Sequence, residues 1–179
     1  RADYSSYHLV DYDLKTGAVI KKITWQGAAD SSSWARGQAW GLYGYTMMYR
    51  FTKNKAYLNL AKYFLDNRGN PKNHKLYGAY SQDDIPVIQQ KEAVGHAVRA
   101  VYMYSGMTDI AALENNTAYY NAVNNLWKNV VTKKMYITGG IGSRPEGEAF
   151  GKNYELPNLT GYNETCAAIG NVYWNHRLH

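Results

Sequence analysis

The chain has 179 residues, 45% hydrophobic and 19% charged, which is enough for one globular domain with its own core. The formal net charge of +6 lies in single residues and short lysine pairs, which argues against a nucleic-acid-binding arm or recognition helix. No apolar run approaches the roughly 20 residues that a spanning helix needs, so we expect no membrane span.

Cys166 is the single cysteine of the sequence, so no internal disulfide can form. A lone thiol fits a reducing compartment, and the first residues show no signal-peptide pattern. We therefore expect a cytoplasmic location. The sequence also contains 18 Tyr and 5 Trp, whose rings combine an apolar face with a polar tip and suit sugar rings. Most of them are expected to pack between helices.

The first predicted element is a β-hairpin. Residues 4–12 and 18–25 alternate loosely and are rich in Tyr, Val and Ile, and residues 13–17 have the composition of a turn.

The remaining chain has the 3.6-residue apolar period of helices, broken by glycine and proline. Helices are predicted from Ser31–Ser33 to Phe51, then over residues 55–67, 87–105, 117–131 and 162–179. Two long loops, residues 68–86 and 132–161, separate them, and long loops in compact domains often carry function. The pattern predicts an all-α chain of antiparallel helix pairs after a short hairpin.

Candidate chemistry in the second half of the chain centres on two carboxylates and the thiol. Glu148 lies in a loop between glycines, and Glu164 and Cys166 lie two positions apart at a predicted helix start. A carboxylate and a thiolate so close can share a zinc ion, and a free carboxylate nearby can donate a proton to a leaving group. Two ligands alone hold zinc poorly, and a buried structural cysteine is the alternative.

Two further groups follow from helical spacing. Glu92, His96 and Arg99 would share a face of the third helix, either as a solvated stripe or as the wall of a site in which His96 binds a sugar hydroxyl. Arg36 and Trp40 would share a face of the first helix, where the guanidinium could pair with a carboxylate and the indole could stack on a sugar. A cation–π pair at a packing surface is the alternative for these two.

From about Tyr57 to His179 the chain resembles the zinc-dependent β-L-arabinofuranosidase family of glycoside hydrolases. The resemblance rests on the runs Tyr80-Ser81-Gln82-Asp83, Glu92-Ala93-Val94-Gly95-His96-Ala97-Val98-Arg99-Ala100, Lys134-Met135-Tyr136-Ile137-Thr138-Gly139-Gly140-Ile141-Gly142, Gly147-Glu148-Ala149-Phe150-Gly151, Tyr154-Glu155-Leu156-Pro157-Asn158 and Tyr162-Asn163-Glu164-Thr165-Cys166-Ala167-Ala168.

This resemblance implies that Glu148 is a general acid/base, that Glu164 and Cys166 are zinc ligands, and that His96 contacts the sugar. The family uses a zinc-bound cysteine thiolate as its nucleophile in a retaining double displacement. In the family the nucleophile and a neighbouring cysteine ligand lie downstream of these runs, and this sequence has no second cysteine. We therefore expect an incomplete zinc site and a weak or inactive isolated chain.

Residues 1–65 resemble the unsaturated glucuronyl hydrolases. The matching positions are His8, Thr24-Trp25-Gln26-Gly27, the run from Asp30 to Tyr45 and Tyr49-Arg50-Phe51-Thr52. The resemblance implies that His8, Gln26, Arg36 and Trp40 line a pocket for an unsaturated uronate. The catalytic aspartates of that family lie upstream of the matching segment.

Both families share an (α/α)6 toroid, so the resemblances imply about half of such a barrel. We predict a single domain in which residues 1–60 are glucuronyl hydrolase-like and residues 61–179 arabinofuranosidase-like. A half-barrel exposes inner walls that a homo-oligomer could cover. The predicted function is that of a glycoside hydrolase-like protein resembling a retaining β-L-arabinofuranosidase with a truncated active site. A uronate hydrolase or binder, and a non-catalytic helical scaffold or carbohydrate-binding fragment, are the alternatives.

Overall fold

The computed structural model describes residue 1, residues 5–72 and residues 75–179. Within these ranges the chain is mostly helical, with a two-stranded antiparallel sheet near its start. The elements are β1 (Leu9–Tyr12), β2 (Val19–Ile23), α1 (Ala35–Thr52), α2 (Lys55–Asn67), α3 (Ala97–Leu113), α4 (Thr117–Lys133) and α5 (Thr165–Leu178), with single 3-10 turns at Ala79–Ser81, Val87–Gln89 and Glu146–Glu148. The predicted all-α class with an N-terminal hairpin is confirmed.

The hairpin turn forms for the reason that its composition suggests. The Asp13 carboxylate accepts hydrogen bonds from the backbone N–H groups of Lys15 and Thr16, and Gly17 adopts the left-handed conformation that closes the turn. β1 and β2 are shorter than predicted, and residue 4 at the start of the first predicted strand lies outside the described residues.

α1 begins later than predicted, and its serines do not cap it. The helix starts at Ala35, and its N-cap Trp34 makes no side-chain capping bond. The hydroxyl of Ser32 instead donates to the carbonyl of Ala29, 2.7 Å away, within a turn that precedes the helix. A serine close to a helix start can satisfy such a turn rather than the helix, because both offer it a local backbone partner.

The predicted third helix, residues 87–105, is wrong at both ends. Residues 87–89 form only a 3-10 turn, and α3 starts at Ala97, after Gly95 takes a φ of +68°. The helix then continues through Gly106 to Leu113. A Cβ on Gly106 would lie 2.9 Å from Cγ of Leu42, so this glycine allows α1 and α3 to pack closely and does not end the helix.

The core surrounds α3, which packs against α1, α2, α4 and α5. Most of its residues are buried, including Tyr104 and Met107, and Trp174 of α5 lies against Tyr104 with ring centroids 4.9 Å apart. α2 and α4 are amphipathic, and each packs its buried residues against α3. No helix in the described part of the chain is long and apolar enough to cross a membrane.

Candidate active site

Glu148 lies in a tight loop that is closed between Arg144 and Ala149. Arg144 and Ala149 exchange two backbone hydrogen bonds, and Ala149 also forms a bridge with His96. Between them Gly147 and Glu148 both adopt positive φ angles, +71° and +52°. A non-glycine residue in this conformation costs about 1 kcal/mol or more, so the surrounding bonds must hold it there. The loop therefore presents the Glu148 carboxylate in one orientation.

Three groups from distant parts of the chain converge on that carboxylate. Nε2 of His96 lies 2.9 Å from Oε2 of Glu148, and the guanidinium of Arg36 lies 3.7 Å from the same oxygen. The Tyr162 hydroxyl donates to Oε1 over 3.3 Å. These three groups fix the position of the carboxylate. The Glu148 side chain is still one-third exposed, so one side of it remains open to solvent.

His96 acts in this cluster as a neutral donor. Its Nδ1 accepts the backbone N–H of Arg99 and caps α3, so the ring proton lies on Nε2 and points to Glu148. Burial is the main cause that lowers the pKa of His96 to about 4, with Arg36 and Arg99 adding to the effect and Glu148 opposing it.

The neutral state of His96 predicts a pH-dependent stability. An unfolded histidine protonates below about pH 6.5, whereas His96 in the folded chain resists protonation to about pH 4. The stabilising contribution is therefore complete above pH 6.5 and is lost toward pH 4, on the order of 2–3 kcal/mol. Urea unfolding at pH 7 and at pH 4.5 should show this loss as a lower free energy of unfolding at pH 4.5. The His96→Asn variant, whose side chain can still cap α3, should show a smaller loss between the two pH values. The exposed His176→Asn is the control, and equal pH slopes for both variants would contradict the prediction.

A cleft of about 400 Å³ borders this cluster. It brings together three residues that the sequence predicted for substrate binding, Gln26, Arg36 and His96, and adds the rings of Trp34 and Tyr80 with the guanidinium of Arg99. The cleft thus offers cationic, amide and aromatic groups beside a carboxylate, which is the mixture that sugar recognition needs.

Two other predicted binding residues lie outside the cleft lining. His8 stacks on Trp34 with ring centroids 4.2 Å apart, and its Nδ1 bonds with the Thr24 hydroxyl at 3.0 Å. Trp40 packs on Tyr102, and Arg36 lies over the ring of Trp34 rather than over Trp40. The alternative of an Arg36–Trp40 cation–π pair is therefore wrong, since the Arg36 guanidinium lies over Trp34 and near Glu148.

The expected face of Glu92, His96 and Arg99 is also wrong, because Glu92 and His96 precede α3. Glu92 accepts a hydrogen bond from the nearly buried Lys134 ammonium at 2.8 Å. This pair lies in a larger cleft, about 760 Å³, behind the Glu148 loop. There Glu155 pairs with Arg144, whose hydrogen bond is the main cause lowering the Glu155 pKa to about 2. The charges of the larger cleft are thus largely neutralised by one another.

Glu164 and Cys166 lie together at the start of α5, as predicted. Glu164 is the N-cap residue, and a hydrogen bond with its carboxylate is the main cause that raises the pKa of the Cys166 thiol. Oε2 of Glu164 is buried without a hydrogen-bond partner among the described residues. Both are donors that zinc accepts, but zinc needs three or four. Residue 1 and residues 5–72 and 75–179 contain no group of three or more His, Cys, Asp or Glu placed to hold a metal. The donors present therefore do not complete a zinc site.

Tyr162 and Tyr80 are two site residues that sequence reasoning missed. Tyr162 reaches Glu148 from the segment before α5, and the ring of Tyr80 lies against Gly147, where a Cβ would approach it to 2.8 Å. Both occur in the runs quoted above, but no spacing rule distinguishes them from the other tyrosines. Their roles depend on contacts between loops far apart in the sequence.

The chain is similar to known glycoside hydrolases. The family model of the GH127 β-L-arabinofuranosidase catalytic domain matches residues 33–179. A non-reducing end β-L-arabinofuranosidase of Bifidobacterium longum is 37% identical over 140 residues, covering 68% of this chain and 21% of that protein. The solved structure of a GH127 β-arabinofuranosidase is 56% identical, with a TM-score of 0.72 over 77% of this chain and 21% of its own.

A second likeness covers nearly the whole chain. The crystal structure of an unsaturated glucuronyl hydrolase specific for heparin superposes with a TM-score of 0.62 at 25% identity, over 99% of this chain and 48% of that one. Both resemblances noted from the sequence are therefore confirmed, and the division at residue 60 stays a prediction. The chain spans about a fifth of the arabinofuranosidases it matches. Since the GH127 model matches most of the sequence, the chain belongs to the GH127 β-L-arabinofuranosidase catalytic-domain family.

Proposed function

We propose that the chain binds a β-L-arabinofuranoside in the cleft beside Glu148 and supplies the acid/base group for its hydrolysis. The observation that carries this proposal is the convergence of His96, Arg36 and Tyr162 on the Glu148 carboxylate. The relatives named above support the substrate class. A sugar in the 400 Å³ cleft would meet the aromatic ring of Tyr80 and the guanidinium of Arg36.

Glu148 would act in both halves of a retaining reaction. Its protonated form gives a proton to the departing glycosidic oxygen as the bond from that oxygen to the anomeric carbon breaks and a nucleophile bonds to that carbon. Its carboxylate then takes a proton from the water that displaces the nucleophile and releases the sugar. His96, which donates through Nε2, and Tyr162 hold the carboxyl group in place during both transfers.

The test is hydrolysis of two aryl β-L-arabinofuranosides, one with a good and one with a poor leaving group, in reducing buffer containing zinc. We expect slow turnover by the chain, because only part of the catalytic apparatus is present. Glu148→Gln should lower the rate with the poor leaving group by about 10²–10⁴-fold and the rate with the good one less, since general acid catalysis matters most for poor leaving groups. Glu146→Gln, an exposed carboxylate in the same 3-10 turn, is the matched control.

Equal rates for Glu148→Gln and the wild type would contradict the acid/base role. No turnover by the wild type, combined with binding of the arabinofuranoside in a calorimetric titration, would favour the alternative of a non-catalytic carbohydrate-binding fragment. The absence of both turnover and binding would favour a helical scaffold.

The proposed function includes a zinc ion, for which this chain offers two ligands. We propose that Glu164 and Cys166 each supply one ligand to a zinc ion whose other ligands come from a partner chain; when bound, the ion would acidify a coordinating thiol. The unpartnered Glu164 oxygen supports this role. The chain alone should then fail to compete for zinc with a chromophoric chelator, and tight stoichiometric binding would contradict the proposal. A reduced Cys166 agrees with the proposed cytoplasmic location, which cell fractionation would test.

A partner could also cover exposed apolar side chains of α1 and α5. Phe51 of α1 and Val172 of α5 are 78% and 66% exposed. We propose that a second copy of the chain buries these side chains, since exposed apolar surface favours association. Light scattering should report a dimer, and a stable monomer at high protein concentration would contradict it.

The second candidate substrate is an unsaturated uronate. Arg36 and Arg99 both line the cleft with Gln26, so a sugar carboxylate there would meet two cations. Calorimetric titration with an unsaturated uronate disaccharide and with a neutral arabinoside would distinguish the candidates. For uronate binding, Arg36→Ala should weaken affinity for the charged sugar at least about tenfold and leave the neutral sugar nearly unaffected. Stronger binding of the neutral sugar by the wild type would contradict this candidate.

A further inference from the structure

Gln82 has no exposed surface and contacts Arg99, which lines the cleft. It ends the 3-10 turn Ala79–Ser81 with a φ of +53°, a conformation that glutamine adopts only when its surroundings hold it. Its backbone carbonyl accepts hydrogen bonds from Arg68 at 3.2 Å and from the Gln90 amide at 2.9 Å. The residue is thus fixed from both its backbone and its side chain.

The side-chain amide of Gln82 uses both its donor and its acceptor. Its NH₂ group lies 2.7 Å from the carbonyl oxygen of Val94 and 3.3 Å from that of His96, and also contacts the carbonyl of Tyr80 at 3.2 Å. Its Oε1 accepts a hydrogen bond from Nε of Arg99 at 2.8 Å. One side chain therefore joins the two carbonyls around Gly95 to a cation on α3.

Gly95 allows this close contact. A Cβ at Gly95 would lie 2.6 Å from Nε2 of Gln82, so only glycine lets the amide approach. On the other side, the N–H of Phe150 donates to the Gly95 carbonyl at 2.9 Å, and Ala149 forms a bridge with His96. The segment 94–96 is held between Gln82 and the strand-like end of the Glu148 loop.

We propose that Gln82 is a positioning residue, which acts through His96. By fixing the backbone on both sides of Gly95, it directs the imidazole so that Nδ1 caps α3 and Nε2–H reaches Glu148. An amide is needed because it donates to carbonyls and accepts from a guanidinium at once; a glutamate cannot donate when ionised, and a methionine does neither. The catalytic consequence rests on the proposed function, whereas the effect on His96 does not.

The experiment records the imidazole nitrogen signals of ¹⁵N-histidine-labelled chain by NMR, with the His96 signals assigned by their loss in His96→Asn. The wild type should show a single tautomer protonated on Nε2. In Gln82→Met we expect these signals to move toward a mixture of tautomers. Gln90→Met is the matched control, because it removes a buried amide that bonds the Gln82 backbone and leaves the side-chain amide of Gln82 in place.

Unchanged His96 signals in folded Gln82→Met, or the same change in Gln90→Met, would overturn the proposal. Where Gln82→Met does not fold, Gln82→Glu decides by the same signals, since it keeps the side-chain size and the bond from Arg99. In an active chain Gln82→Met should lower kcat about tenfold or more and change KM less than about twofold, as misplacement of a reacting group does. Absence of turnover would refute the catalytic proposal and leave the NMR result standing.

Discussion

Replacing Asp109 by alanine is expected to lower the free energy of unfolding by about 3–5 kcal/mol. Asp109 of α3 is 2% exposed and accepts a 2.6 Å hydrogen bond from Thr46 and a 3.0 Å bond from Arg50, both on α1. The Arg177 side chain of α5, largely buried, lies 3.7 Å away with its Nε toward the carboxylate. Alanine would leave the cation of Arg177 buried without its counter-charge.

Urea unfolding monitored by circular dichroism would measure the loss. Asp109→Asn, which keeps an acceptor for Thr46, should lose less, about 1–3 kcal/mol. Asp84→Ala removes an exposed aspartate and should change stability by no more than about 0.5 kcal/mol. A loss below about 1 kcal/mol for Asp109→Ala would show that the three helices do not depend on this cluster.

The second large effect is expected for Gly95→Ala, with a loss of about 3–4 kcal/mol. Gly95 has a φ of +68°, and an added Cβ would lie 2.2 Å from the Tyr80 carbonyl oxygen and 2.5 Å from that of Ala79. Both are backbone atoms, so they cannot turn away as a side chain could. The left-handed conformation adds about 1 kcal/mol of strain to this overlap.

Two other glycines separate the two contributions. Gly139 has a φ of +83° with nothing within 4 Å of an added Cβ, so Gly139→Ala should cost only the strain, about 1 kcal/mol. Gly44 lies inside α1 with the same free space, and Gly44→Ala should stabilise the chain by about 0.5–1 kcal/mol. Differential scanning calorimetry of the three variants gives the comparison, and similar losses for Gly95→Ala and Gly139→Ala would disprove the predicted overlap.

The helices were predictable where apolar periodicity and local breakers agree. The segment Lys55–Asn67 has a clear stripe of apolar residues at helical spacing and an asparagine at its N-cap, and α2 has the predicted bounds. The third helix was misplaced because residues 87–96 have helical composition, whereas Pro86 and the backbone of Gly95 favour a turn. Gly106 follows the predicted end of the third helix, and its packing against Leu42 depends on a helix elsewhere in the chain, which the local sequence does not show.

The site was predictable in its residue types and not in its contacts. Motif runs identified Glu148, His96 and the Glu164–Cys166 pair, whose roles remain proposals. The meeting of Arg36 with Glu148 joins loops and helices far apart in sequence, and helical spacing suggested Trp40 as the partner instead. No local pattern indicated a structural role for Gln82, because this role comes from its hydrogen bonds to backbone carbonyls that only the fold brings together.

The central position of α3 has a consequence for how the chain opens. Every other α-helix in the described part of the chain packs against it, so removing α1 and α2 would expose the surface of α3 that they cover. The amides of α3 should therefore exchange with solvent only on global unfolding, while those of the hairpin exchange by local opening. A cut near residue 60 would divide one cooperative unit and would not release two separately folding pieces, whatever the ancestry of the two segments.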